Sequence, residues 1–242
     1  MMDREELQHI IDSLADDGRV DEVYPYLLEM AHTYHDPDAF ETLAVLNFND
    51  CLKKGIDYKK AFQFFVLACK AGANPVSILT YVTEKDNDNI KKDIDAKEGY
   101  RNLLVFLMEQ DCALAYIYAG DEYLGTEFVF DPDTEKGISC YKKAAELGMF
   151  YGYECLGRAY FTGTAGGVDY QKAFEYFTMK DEFYSDEKYY DLGEMYFHGY
   201  YVEKDLKKAE EYYKGLLNDE VFKDTDSMFF PLAKKRLLEM EE

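Results

Sequence analysis

A repeat constrains this chain more than any other feature. An Asp, a short polar stretch, a small residue and an aromatic run recur as Asp57-Tyr-Lys-Lys-Ala61, Asp133-Thr-Glu-Lys-Gly137, Asp169-Tyr-Gln-Lys-Ala173 and Asp205-Leu-Lys-Lys-Ala209. A fainter copy is Asp95-Ala-Lys-Glu-Gly99. The starting positions are separated by 38, 38, 36 and 36 residues, and 36 residues before Asp57 stands Asp21. A fixed period of this length marks a stack of supersecondary units, each burying its apolar face only against its neighbours.

Each part of the repeat has a physical reason. The Asp suits a helix N-cap, where its carboxylate accepts free backbone N–H groups and sits at the positive helix end. The small residue four places on allows close helix approach. Aromatics one turn beyond it fill the space between layers: Phe64-Phe65, Tyr176-Phe177 and Tyr212-Tyr213, with Cys140-Tyr141 in the fourth copy. Gly72 and Gly148 follow as C-terminal caps. A second helix precedes each of these, clearest in Leu156-Gly157-x-x-Tyr160-x-x-Gly163 and Leu192-Gly193-x-x-Tyr196-x-x-Gly199, and similar in Ala119-Gly120-x-x-Tyr123-x-Gly125. Leu, Gly and Tyr at this spacing put a knob, a notch and a ring on one stripe. Asp36-Pro37 and Asn74-Pro75 read as helix starts, as do Asp111 and Ser185.

The expected fold is therefore all-α. About six antiparallel helix pairs fall near 3–34, 37–72, 75–109, 112–147, 150–180 and 186–219, within a single repeat domain spanning 1–242, and a capping helix lies near 228–241. Two places fit poorly. The third repeat carries an expected loop from Glu84 to Asp95, and Pro25 stands where the first repeat needs its small residue, so that helix is expected to begin near Tyr24.

Composition limits what such a stack can do. Twenty-seven basic against 49 acidic residues give a net charge of −22, which repels nucleic-acid phosphates and anionic lipid and favours basic or neutral partners. No stretch approaches roughly 18 consecutive apolar residues, and the start, Met1-Met2-Asp3-Arg4-Glu5-Glu6, lacks an apolar signal core. Cys51, Cys69, Cys112, Cys140 and Cys155 form no CxxC pair and sit in apolar helical patterns, so reduced core thiols and a cytoplasmic setting are expected.

The Leu-Gly-x-x-Tyr-x-x-Gly stripe, the Asp-x-x-Lys-Ala start, the aromatic pair and the Ala-Ala-x-x-Gly end resemble the Sel1-like repeat family, relatives of the tetratricopeptide repeat. The match is strong over roughly 112–214 and recognisable over 37–72. The resemblance implies a right-handed superhelical solenoid whose first helices line a concave groove, and a scaffold that binds proteins or peptides. By that register the groove positions are Ile117, Asp121 and Leu124; Tyr151, Glu154, Arg158 and Phe161; and Glu187, Tyr190, Glu194, Phe197 and His198. Aromatics mixed with carboxylates suit a basic peptide with apolar anchors, although the chain's own C-terminal helix or a second copy could fill the same groove.

Catalytic chemistry needs convergent groups that the sequence does not offer. His9, His32, His35 and His198 are scattered, and His32-x-x-His35 has no third ligand nearby. The stretch Asp86–Asp93 lacks the glycine and terminal Glu of a calcium loop. Gly163–Gly167 is followed by no Gly-Lys-Ser/Thr and reads as a turn. A cysteine-rich branch of the family binds β-lactams, but the cysteines here do not recur in register. The expectation is a non-enzymatic adaptor without cofactor or metal. The alternatives are an acidic mimic of nucleic acid that blocks a DNA-binding protein or, further off, a hydrolase.

Overall fold

The computed structural model describes residues 2–52, 54–90, 92–125, 129–179, 185–218 and 227–241. Among them are thirteen α-helices and no strand. The chain divides into two compact bodies, Met1–Pro132 and Asp133–Glu242. The first holds α1 (Arg4–Asp16), α2 (Val20–Tyr34), α3 (Pro37–Phe48), α4 (Tyr58–Ala71), α5 (Pro75–Ile90), α6 (Ile94–Glu109) and α7 (Ala113–Leu124). The second holds α8 (Thr134–Glu146), α9 (Tyr151–Thr162), α10 (Tyr170–Phe177), α11 (Asp186–His198), α12 (Leu206–Asn218) and α13 (Phe229–Glu241).

The repeated Asp does what its position demands. Asp57, Asp133 and Asp169 each accept the backbone N–H of the Lys three residues on, at 3.0 Å. The ammonium of the same Lys returns to the carboxylate at 3.0, 3.2 and 3.1 Å. That N–H, and then the side chain, hold Asp133 and Asp169 below the ordinary carboxylate range. Asp205 caps α12 in the same way, accepting from the Lys208 N–H at 3.1 Å, and the Lys208 ammonium lies 4.9 Å over the Tyr196 ring.

The small residues and notches serve close packing. Ala61, Ala173 and Ala209 are fully buried. A Cβ added to Gly157 would stand 2.5 Å from the Phe177 ring, and one added to Gly193 would stand 2.4 Å from the Tyr213 ring. Each glycine thus lets α9 or α11 lie directly on an aromatic of the helix that follows. Gly193→Val is expected to destabilise the second body by about 2 kcal/mol, because overpacking forces a buried ring off its rotamer. A lowered urea midpoint would show this, and an unchanged midpoint would mean the notch is not tight.

Four local expectations need correction. In the third repeat Asp93, not Asp95, caps the helix, accepting from the Ala96 N–H at 2.9 Å. Asp95 lies in the first turn, while Gly99 still serves close approach, its added Cβ falling 2.3 Å from Phe62. The loop expected from Glu84 is helix as far as Ile90. Helix α2 starts at Val20 and runs through Pro25, capped by Arg19 without a side-chain bond, so it does not wait for Tyr24. Asp111 is not the cap of α7: it adopts a left-handed φ of 53° and Cys112 takes the cap position.

The first body centres on aromatic and leucine packing. Phe48, 1% exposed, meets Tyr58, Phe62, Phe65 and Tyr81 at ring separations of 5.4 to 6.0 Å. In the second body α9 packs on α10, α11 on α12, and α13 on both α11 and α12.

Candidate functional site

Burying a charge is costly unless it is paired, so buried charges mark where a fold has concentrated polar chemistry. Among the described residues the buried polar or charged side chains are Asp36, Asn47, Glu154, Lys188, Asp191 and Glu194. Four of these six lie on α9 and α11, on the helices expected to face the groove.

They form a ladder from α9 through α11 to α13. Ser185, the N-cap of α11, donates its hydroxyl to Glu154 and accepts the Lys188 N–H at 3.1 Å. One turn along, the Arg158 guanidinium lies 3.6 Å from Asp191 and 5.0 Å over the ring of Phe229. One further turn along, Glu194 receives Arg236 of α13 through a fork, Nε at 2.7 Å and Nη2 at 2.8 Å. The Tyr213 hydroxyl donates to the same carboxylate at 2.7 Å, and His198 Nε2 lies 3.5 Å away. Burial pushes the Glu194 carboxyl up. The Arg236 and Tyr213 hydrogen bonds and the nearby positive charge outweigh that, leaving it below the ordinary carboxylate range. The Arg236 guanidinium also sits 5.0 Å over Phe197 and bonds Glu239 at 2.7 Å.

Aromatics flank the ladder. Tyr190 meets Tyr213 at 5.9 Å and Phe229 at 5.5 Å. Phe161 meets Tyr170 at 5.5 Å and Tyr200 at 6.2 Å, and Tyr200 stacks on Tyr170 at 4.3 Å and on His198 at 5.0 Å.

The structure gathers six of the expected groove positions into this network: Glu154, Arg158, Tyr190, Glu194, Phe197 and His198. Tyr151 is partly exposed at the start of α9, Phe161 is half-buried in the aromatic column, and His198 is exposed. The Glu187 side chain lies outside the described residues, as do the side chains of most of Asp86–Asp93. In the first body Ile117 is 3% exposed and belongs to the packing of α7, Asp121 is exposed and Leu124 partly so. Lys188, Asp191, Phe229 and Arg236 were not singled out by the sequence. Lys188, Asp191 and Glu194 are spaced by three residues on α11, a helical-face signal that could have marked Asp191.

Within the network Glu194 is answered by Arg236, Asp191 by Arg158, and Glu154 by the Ser185 hydroxyl. Among the described residues no three His, Cys, Asp or Glu side chains converge as a metal site. The five cysteines are free. Burial pushes the Cys69 and Cys140 thiols up to about 11, whereas Cys51 is exposed, contrary to the expectation of a core position. No helix among the described residues is long and apolar enough to cross a membrane.

The Sel1 repeat family model matches residues 48–72, 112–149, 156–179 and 189–214. A Sel1 repeat protein from Oxalobacter formigenes has a similar fold, with 20% identity, coverage of 96% of this chain and 99% of that one, and a TM-score of 0.54. A protective antigen of uropathogenic Escherichia coli, displaying an SLR fold, is 23% identical over 81% of this chain with a TM-score of 0.54. The match spans only 41% of that antigen's length. No curated protein matches the chain significantly.

Proposed function

We propose that this chain, four stretches of which match the Sel1 repeat model of a helical-scaffold family that generally mediates protein–protein interaction, is a non-catalytic adaptor that binds a protein or peptide through α9 and α11. The ladder carries this reading. A fold that needed only stability would bury apolar residues there, because replacing a buried ion pair with packed hydrophobic side chains is often neutral or stabilising. Fixed carboxylates and guanidinium groups beside partly exposed rings supply orientation and specificity instead. The partner this surface favours is a segment with apolar anchors and a basic residue.

The nucleic-acid-mimic alternative draws less support. Asp57, Asp133 and Asp169 are each used as a helix cap and paired with a lysine, which takes them out of any free phosphate-like row.

Capture from a lysate of the source cells, read by mass spectrometry, tests the adaptor reading. A partner retained by the wild-type chain should be lost by Tyr151→Ala/His198→Ala. It should persist with Lys142→Ala, which lies on α8. Equal capture by both variants, or no saturable partner, overturns the assignment to α9 and α11.

A further inference from the structure

We propose that the surface of α11 and α12 under α13 is a binding seat for a basic amphipathic helix of a partner protein, and that α13 fills this seat in cis. The inference rests on the adaptor reading and names the partner's chemistry.

The contact is built as recognition. Helix α13 presents Phe229, Ala233 and Arg236 at i, i+4 and i+7, one stripe of a helix. Phe229 is 5% exposed and Ala233 fully buried. Phe229 enters between Tyr190 and the Arg158 guanidinium, at 5.5 and 5.0 Å. Arg236 places a planar fork on both oxygens of Glu194 and its face on Phe197. A fork on a carboxylate with an aromatic beneath is a geometry that lysine does not reproduce.

Charge favours the same occupant. Without α13, the buried Glu194 carboxylate loses both Arg236 bonds and keeps the Tyr213 hydroxyl and the neighbouring His198. The seat then calls for a cation at Glu194. Helix α13 is also a modest competitor. Its 13 residues are too few for a stable isolated helix, and its outer face leaves Leu238 at 64% and Leu232 at 36% exposure. A partner helix with an aromatic, a small residue and an arginine at the same spacing would find every contact ready-made.

The test uses a fluorescein-labelled synthetic peptide of residues 227–241 and the full chain, read by fluorescence anisotropy. In the wild-type chain the seat is occupied, so apparent affinity falls by the fraction of molecules with the seat open. Phe229→Ala/Arg236→Ala in the full chain weakens the resident helix, and the peptide should bind about tenfold tighter or better. Adding Glu194→Gln to that variant should reverse the gain, and a peptide carrying Arg236→Ala should bind poorly to all three chains. If circular dichroism shows that the double variant has lost helix, Arg236→Lys replaces it, keeping the charge but not the fork, with an expected gain of about threefold. Binding equal in wild type and folded variant, or indifferent to Glu194→Gln, overturns the seat. A peptide that binds no chain, while partner capture still depends on Tyr151 and His198, overturns the seat alone and leaves the adaptor reading standing.

Discussion

Tyr213→Ala is expected to destabilise the second body by about 4 kcal/mol, within the range for removing a fully buried aromatic. Tyr213 is fully buried, rests on Gly193 and stands beside Tyr190. Two effects are removed together, the ring and the hydroxyl that donates to Glu194 at 2.7 Å. Tyr213→Phe separates them. It keeps the ring and takes one donor from a buried carboxylate, at a cost of about 1–2 kcal/mol. Urea unfolding followed by circular dichroism measures both. A phenylalanine variant as unstable as the alanine variant would show that the hydrogen bond, not the packing, dominates at this position.

The second large effect is at Glu194. Glu194→Gln keeps the shape, removes the charge and leaves Arg236 facing a neutral amide. Breaking a buried pair costs about 3–5 kcal/mol. Arg236 is 24% exposed and retains Glu239, so about 2–3 kcal/mol is expected here. The same group makes stability depend on pH. Its folded pKa lies below the ordinary value of 4.5, so its contribution is complete above that value and is lost as pH falls through the depressed folded value. Asp36 behaves alike in the first body: burial pushes it up, and the Arg4 side chain and the Ala39 N–H pull it below its ordinary value of 3.8. Denaturation midpoints measured between neutral and strongly acid pH should fall for the wild-type chain. They should fall less for Glu194→Gln in the second body. Parallel curves would rule Glu194 out as a source of the pH dependence.

What could be read from the sequence was local and periodic. An Asp followed three residues later by Lys encodes a cap and an ion pair within one turn, and Asp57, Asp133 and Asp169 form both. Leu-Gly-x-x-Tyr encodes a notch, and Gly157 and Gly193 are notches against Phe177 and Tyr213. The failures were also local. Asp93 and Asp95 both offer a capping carboxylate, and spacing chose the wrong one, because the chain had room for an earlier start. Between Glu84 and Ile90 polarity suggested a loop, yet the backbone continues as helix. The candidate site was half legible. A helical register picks out which residues share a face, so Arg158, Tyr190 and Glu194 could be named. It does not say which charges meet across helices, and Arg236 reaches Glu194 from 42 residues away.

The notches have an evolutionary corollary. Gly157 on Phe177 and Gly193 on Tyr213 are the same contact displaced by 36 residues. Tyr160 with Tyr176 and Lys172, and Tyr196 with Tyr212 and Lys208, repeat it again. Because each interface is self-contained, duplicating or excising one 36-residue segment would leave matched surfaces at the splice. Lineages of such chains are therefore free to change length in whole segments, by in-frame recombination, without inventing new packing.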